Sequence, residues 1–314
     1  MTSSTSNQDD VLVFLLSGDD SGKRVDRLIC DKIPEVGRKL AARLCEEGKV
    51  RLDGRRVRKS REGVEAEQLS VAVGALGQAL PAPEIEVKIL LETPHLVVAD
   101  KPAGVPSAAL IGKESGTLAG ALLHRYPEMS QVGYGPREPG IIHRLDNYTS
   151  GLIVAARDQT TFDALQQCLS AGKFQKSYLA VVQSGRLANA GTVNTRLKTH
   201  QSDRKRVVEA KEGEGYACAS SYEVLQRREC FDLVRVEAHA AFRHQIRFHL
   251  ASLQAPLVGD LLYGGCRGLA PRHALHANYV ATTADFLPSV RVESELPADL
   301  CALLESCDAR LLSE

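Results

Sequence analysis

HRLDNYTSG, His143 to Gly151, sets an acid beside an arginine and a histidine, immediately before a run, Gly151–Ala156, that reads as a strand. A carboxylate at a loop–strand junction is well placed to act, because loops held on a rigid scaffold carry function. On chemistry alone Asp146 fits a general base, a covalent nucleophile or a ligand. It fits equally a turn residue paired with Arg144 at the surface. The stretches around it decide which reading to pursue.

Three further stretches carry reactive or basic side chains. In KSYLAVV, Lys176 to Val182, strand alternation puts Lys176, Tyr178 and Ala180 on one face. Tyr178 then offers a ring to stack on a base or a hydroxyl to use, unless it is simply a half-buried sheet tyrosine. In FRHQIRFHLASLQAPLVGDLLYGG, Phe242 to Gly265, a helix over Phe242–Leu253 turns Ile246, Leu250 and Leu253 to the core. Arg243 and Arg247 fall side by side elsewhere on it. An arginine close to a carboxylate favours its charged form; the plainer reading is a solvated amphipathic helix. RLKTHQSDRKR, Arg196 to Arg206, has five Lys/Arg against one acid. It reads as a phosphate-contacting hairpin or as an ordinary exposed loop.

Outward from these stretches, strands are expected over Ile85–Leu91, Leu96–Ala99, Gly151–Ala156, Ser177–Val182, Ala217–Leu225 and Phe231–Ala238. Helices are expected over Leu118–Arg125, Thr161–Ser170 and Phe242–Leu253. Several strands alternate polar and apolar, which favours a mixed, mainly antiparallel sheet and an α+β class. Nearer the start, helices fit Arg24–Ile33, stopped by Pro34, and Arg38–Glu47, stopped by Gly48. Extended pieces Lys49–Leu52 and Arg56–Lys59 flank Asp53-Gly54, a hairpin signal, and a last strand runs through Leu69–Val73. Gly74–Glu84 is rich in Gly, Ala and Pro and reads as a linker. Glu295–Leu312 reads as an amphipathic helix.

The expected organisation is therefore a tail and leading strand over 1–20, a small basic α/β module over 21–74 and a linker over 75–84. The main domain follows over 85–290, with a helical extension over 291–314. Formal net charge is zero over 314 residues, but the balance is uneven. Gly22 to Arg61 holds 14 Lys/Arg and 6 Asp/Glu, a local excess of eight. A basic module on a mildly acidic body points to nucleic acid, although a solvated charged face has the same composition.

Composition excludes several classes. At 44% hydrophobic and 25% charged residues the chain is neither disordered nor fibrous. No stretch approaches the roughly 20 apolar residues of a membrane span. The polar start MTSSTSNQDD has no signal-peptide pattern, so a cytoplasmic protein is expected. The eight cysteines form no C-x-x-C pair; reduced, mostly buried thiols are expected, with no zinc site. No Gly-rich dinucleotide fingerprint is present.

Taken together, HRLD with TSG (His143–Asp146, Thr149–Gly151), K-x-Y-x-A, RHQIR-x-H-L-A, P-L-V-G-D-x-x-Y-G and R-x-A-L-H-A (Arg272–Ala277) resemble the RluA branch of pseudouridine synthases. Their order and spacing over Ile85–Leu287 make the likeness specific. The basic region, with R-V-D-R-L, G-R-K-L and E-G-K-V-R-L-D-G, is similar to the S-four-type RNA-binding domain. The resemblance implies isomerisation of uridine to pseudouridine in RNA without metal or organic cofactor; separately, a monomer is expected. Ribosomal RNA is favoured and transfer RNA is the other candidate. It implies that Asp146 is the nucleophile, that Tyr178 packs on the base as a candidate proton acceptor, and that Arg247 pairs with Asp146. RNA contacts are implied at His143, Arg144, Lys176 and Arg243, and on the basic module at Arg38, Lys39, Arg43, Arg55, Arg56, Arg58 and Lys59. One departure stands out: Ala241-Phe242-Arg243 replaces the family's usual G-R-T or G-R-R before HQ. The competing readings are an RNA-binding or ribosome-assembly factor without catalysis, and a small-molecule hydrolase or lyase acting through Asp146 and His143.

Overall fold

The computed structural model describes residues 11–33, 36, 38–72, 78–109, 115–133, 135–238, 242–282 and 290–306. They fall into two units.

The first unit is Met1–Leu80 with Ala109–Ser115 and Tyr134–Pro139. Its elements are β1 (Val11–Leu15), α1 (Val25–Lys32), α2 (Arg38–Glu46), β2 (Val50–Leu52), β3 (Arg55–Arg56) and β4 (Gln68–Ala72). The strands form one antiparallel sheet in the order β1-β4-β2-β3. Asp53 and Gly54 join β2 to β3 with φ of 45° and 76°, the paired positive values that let a two-residue turn follow strand twist. Val25, Leu28 and Ile29 of α1 and Ala41, Leu44 and Cys45 of α2 pack with Val50, Leu52, Leu69 and Val71 of the sheet. Burying those stripes is what fixes two short helices that would be marginal alone. Pro34 and residues 74–77 of the expected linker lie outside the described residues.

The second unit is Pro81–Ala108, Gly116–Gly133 and Gly140–Glu314. It runs β5 (Lys88–Glu92), β6 (Leu96–Lys101), α3 (Leu118–Arg125), β7 (Ser150–Ala156), α4 (Gln159–Ser170), β8 (Phe174–Gln183), β9 (Ala190–Thr199), β10 (Val207–Glu209), β11 (Tyr216–Arg227), β12 (Phe231–Ala238), α5 (Gln245–Ser252), β13 (Leu275–Thr282), β14 (Val290–Glu293) and α6 (Ala298–Glu305). The sheet order is β10-β9-β11-β12-β8-β13-β7-β6-β5, with β14 beside β13. Pairings are antiparallel except β13 with β7, so the sheet is mixed and mainly antiparallel and the class is α+β.

The residues around that parallel pair position everything that follows. Every residue of β7 is buried. Gly151 lies opposite Ala277 with φ of 116°, and a Cβ there would stand 2.2 Å from the Ala277 carbonyl oxygen. Only glycine allows this approach. Leu96, Val98, Leu152 and Val154 pack with Phe162 and Leu165 of α4 on one side. Elsewhere Leu300, Leu303 and Leu304 of α6 pack with Val181, Phe231 and Leu233. The C-terminal helix is thus part of this unit's core, and β14 part of its sheet. The helix expected over Glu295–Leu312 starts three residues later, at Ala298, and its described part ends at Glu305, residues 307–314 lying outside the described residues.

Two further expectations are corrected. Cys45, Cys168 and Cys218 are buried thiols, but Cys266 and Cys301 are exposed and Cys230 is disulfide-bonded. The helix expected to begin at Phe242 begins at Gln245, because His244 takes φ of 55° and breaks the helical path. Among the described residues no helix is long and apolar enough to cross a membrane.

Candidate active site

The HRLD segment alternates like a strand leading into β7. His143 and Leu145 turn inward, Arg144 is exposed and Asp146 is half-buried. Ser107 grips Leu145 from both sides: the Leu145 amide donates to Ser107 Oγ (3.0 Å), and Oγ donates to the Leu145 carbonyl (2.9 Å). Fully buried Lys101 donates to the carbonyls of Pro102 (3.0 Å), Val105 (2.7 Å) and Asn147 (2.9 Å). Arg272 donates to the Tyr148 carbonyl (3.1 Å) and, through Nε and Nη2, to both oxygens of Asp299 (2.7 and 3.1 Å). A backbone held at residues 145, 147 and 148 leaves Asp146 little freedom.

Arg247 of α5 joins two acids. Its Nη1 donates to Asp146 Oδ2 at 3.0 Å, while Nε and Nη2 donate to Asp260 Oδ2 and Oδ1 at 2.7 and 2.8 Å. The fork geometry of a guanidinium permits this double use; a lysine has no such fork. Burial works against the charge on Arg247, but the hydrogen bonds and charges of Asp260 and then Asp146 outweigh it, and its pKa is raised. The guanidinium also lies 5.2 Å from the ring centre of Tyr263.

Tyr178 of β8 sits between Val236 and Ala277 of the neighbouring strands and lines the same cleft as Asp146. The cleft holds about 80 Å³, with Arg144, Asp146, Tyr178, Phe242 and Arg247 on its walls. Burial, then the charge of Asp146, pushes the Tyr178 phenol above its usual range. At neutral pH it is a protonated hydroxyl, suited to packing and donating. As an acceptor of a proton it would have to pass its own proton on.

His244 places Nε2 3.7 Å from Asp146 Oδ2, and its Nδ1 lies 3.0 Å from Tyr263 Oη. Burial pulls its pKa down to about 4 against the opposing pull of Asp146, so at neutral pH it brings no charge to the carboxylate. His273 bonds Thr149 Oγ1 through Nε2 (2.8 Å) and is held neutral by burial, with a pKa of about 3.

The structure therefore gathers Asp146, Tyr178, Arg247, Arg144 and Arg243 at one cleft and leaves other expected contacts out of it. His143 and Lys176 are buried around Phe174: the His143 ring meets it edge-on at 5.3 Å, and Lys176 Nζ lies 5.8 Å from its centre. Burial takes the Lys176 pKa to about 8 and that of His143 well below its ordinary value. Both side chains are buried, His143 9% and Lys176 6% exposed, and neither lines the cleft that holds Asp146. Arg243 and Arg247 are not neighbours on a helix face. Arg243 precedes the break at His244, is exposed, and donates from Nη2 to the Lys205 carbonyl at 2.6 Å. RLKTHQSDRKR is the end of β9, a turn and the approach to β10, which pairs back on β9.

In the first unit, Arg38, Arg43, Arg55, Arg56, Arg58 and Lys59 are exposed. Arg43 pairs with Glu47 (3.2 Å) and Lys59 with Glu46 (3.0 Å). Arg55, Arg56, Arg58 and Arg61 line one groove. The Lys39 side chain lies outside the described residues. Lys101, Ser107, His244 and Asp260 were not singled out from the sequence. Asp260 and His244 had a signal in their places within the P-L-V-G-D and RHQIR stretches; Lys101 and Ser107 had none.

Comparison with known proteins bears on the whole chain. A family model described as RNA pseudouridylate synthase matches residues 95–252. A protein named ribosomal large subunit pseudouridine synthase D from Xylella fastidiosa is 34% identical over 305 residues, covering 90% of this chain and 88% of the relative. A protein of the same name from Pseudomonas aeruginosa is 33% identical over 308 residues, covering 90% and 91%. The solved human RNA pseudouridylate synthase domain containing 1 shares the fold, with a TM-score of 0.57 and 22% identity over 72% of this chain and 93% of that one.

Proposed function

The chain belongs to the RNA pseudouridylate synthase family, and from that premise we propose that it isomerises specific uridines of large-subunit ribosomal RNA with Asp146 as the essential carboxylate. The observation that carries the assignment is the Arg247 bridge, which holds Asp146 at one end and Asp260 at the other beneath a cleft walled by Tyr178. The choice of ribosomal RNA rests on the relatives' names.

The reaction breaks the bond from N1 of uracil to C1′ of ribose and makes one from C5 to C1′. The hydrogen on C5 is lost and N1 gains one, so the composition of the RNA is unchanged. The target base must leave its stack, at a cost of a few kcal/mol that is smallest in loops. Asp146 works at the sugar as the base departs. Tyr178 packs on the detached base and keeps it in the cleft while it turns. Arg247 fixes the carboxylate, and Arg144 and Arg243, exposed at the rim, meet phosphates.

The first unit is read as an S-four-type RNA-binding module over residues 21–74, joined by a linker over 75–84 to a catalytic domain. Neutralising Arg55, Arg56, Arg58 and Lys59 together should weaken RNA binding and flatten its dependence on salt; unchanged affinity and slope would remove this assignment. A cytoplasmic monomer completes the reading. Release of tritium from C5-labelled uridine, compared between transcripts of large-subunit ribosomal RNA and of transfer RNA, tests the substrate. Release confined to transfer RNA would overturn the ribosomal choice, and release from neither would favour an RNA-binding factor without catalysis.

A further inference from the structure

We propose that Tyr216 and Phe242 form a stacking platform at the rim of the cleft for an unpaired nucleobase next to the target uridine. The inference rests on the reading of the chain as an RNA-modifying enzyme and adds a subsite to it.

The two rings lie 5.1 Å apart with 28° between their planes, an offset stack. Phe242 lines the cleft that holds Asp146. Tyr216 is 67% exposed, and among the described residues the other exposed large apolar side chains include one more aromatic, Tyr148. A single exposed aromatic needs no explanation. An exposed ring stacked on a second ring that leads into a catalytic cleft has a geometry to explain.

Local structure accounts for the arrangement. Tyr216, Cys218 and Ser220 share one face of β11. Ser220 Oγ meets His249 Nδ1 (2.9 Å) and Gln245 Nε2 (3.0 Å) of α5, so this is the face that α5 covers. Tyr216 lies on that face beyond the helix start. Phe242, three residues before α5, has its amide held by Gln245 Oε1 (3.0 Å) and reaches over Tyr216. Unlike a core ring, Tyr216 keeps a large surface open to solvent.

The surroundings fit RNA. Arg243 adjoins Phe242, is exposed, and is tied by its hydrogen bond to Lys205 to the turn that carries Arg204, Lys205 and Arg206. A base lying on the two rings would have its phosphates near these cations. Stacking accepts any base, since each has a π-face, and it is the usual means of holding an unpaired nucleotide. Phe242 also stands where the family pattern commonly has arginine, so the platform would help set which uridine this chain selects.

The chain contains no tryptophan, so Tyr216→Trp installs a single reporter in the platform. The probe is a fluorescein-labelled single-stranded oligouridylate of twelve nucleotides, added to the Tyr216→Trp protein. Label anisotropy reports binding, and tryptophan emission reports stacking. Quenching of tryptophan with the same midpoint as the anisotropy change is expected. Tyr216→Ala, at an exposed position, should weaken binding of the probe by about ten-fold, within the range stacking produces. Binding without quenching, equal affinity of Tyr216→Ala and the natural protein, or no binding at all would each overturn the platform. Pseudouridine formation by the natural protein, measured in parallel on ribosomal RNA, separates the two claims. Product without quenching removes the platform and leaves the reaction standing.

Discussion

Arg247 is buried, and three of its hydrogen bonds are divided between two acids. Removing one acid leaves a guanidinium that is neither fully paired nor able to move to water. Asp260→Asn should therefore cost about 3 kcal/mol of stability, in the range for breaking a buried pair, as read from urea unfolding. Because the arginine would no longer be held against Asp146, kcat should also fall by roughly a hundred-fold, with a smaller effect on KM. Wild-type stability together with wild-type turnover would mean that something other than Asp260 orients Arg247. Asp146, Tyr178 and Arg247 were legible in the sequence because each sits inside a local motif. The pairing of Arg247 with Asp146, 101 residues away, was expected only through the family resemblance, and the Asp260 end of the bridge was not expected at all. For His143 the alternation in HRLD was visible, and reading it would have placed the ring inside with Leu145.

The element that places the HRLD loop is β7, through its parallel contact with β13 at Gly151 and Ala277. Gly151→Ala would set a methyl group into a carbonyl at a backbone angle that side chains avoid. A loss of about 3 kcal/mol or more is expected, read as a lower unfolding temperature of the larger unit; an unchanged temperature would show that the strands can part without cost. β7 and α3 stood out in the sequence because their apolar runs are bounded, and β12 because polar and apolar residues alternate over its second half. β13 did not: LHANYVAT buries His276 and Asn278, so polar residues occupy core positions and the period is hidden. Its interior is polar because His276 belongs to a chain of bonds from Ser150 (2.9 Å) to Ser294 (3.1 Å), which in turn donates to Asp100 (2.8 Å). β9 was obscured by its own charge, which made the second half of a ten-residue strand look like a basic loop.

For the whole molecule, buried histidines set the response to acid. His143, His244, His249, His273 and His276 all have lowered pKa values, each chiefly through burial, with about 4 for His244, His249 and His276 and about 3 for His273. The unfolded chain takes up protons on these rings near pH 6.5, whereas in the folded chain His244, His249, His273 and His276 do so only near pH 4 or below. Stability therefore falls as pH drops from about 6.5 toward 4, by up to about 1.4 kcal/mol per pH unit for each ring. The denaturant midpoint of the larger unit should be clearly lower at pH 5 than at pH 7. Equal midpoints would mean that these rings open to water before unfolding. At this scale the α+β class and the basic N-terminal region were plain in the sequence, whereas the placing of the C-terminal helix in the core was not. Leu300, Leu303 and Leu304 announce an apolar stripe without saying what covers it.

The most direct test of the central claim is tritium release from C5-labelled uridine in large-subunit ribosomal RNA, comparing the natural protein with Asp146→Asn. The account predicts release by the natural protein, none by the variant, and nearly equal RNA affinity for both. Continued release by Asp146→Asn would contradict it.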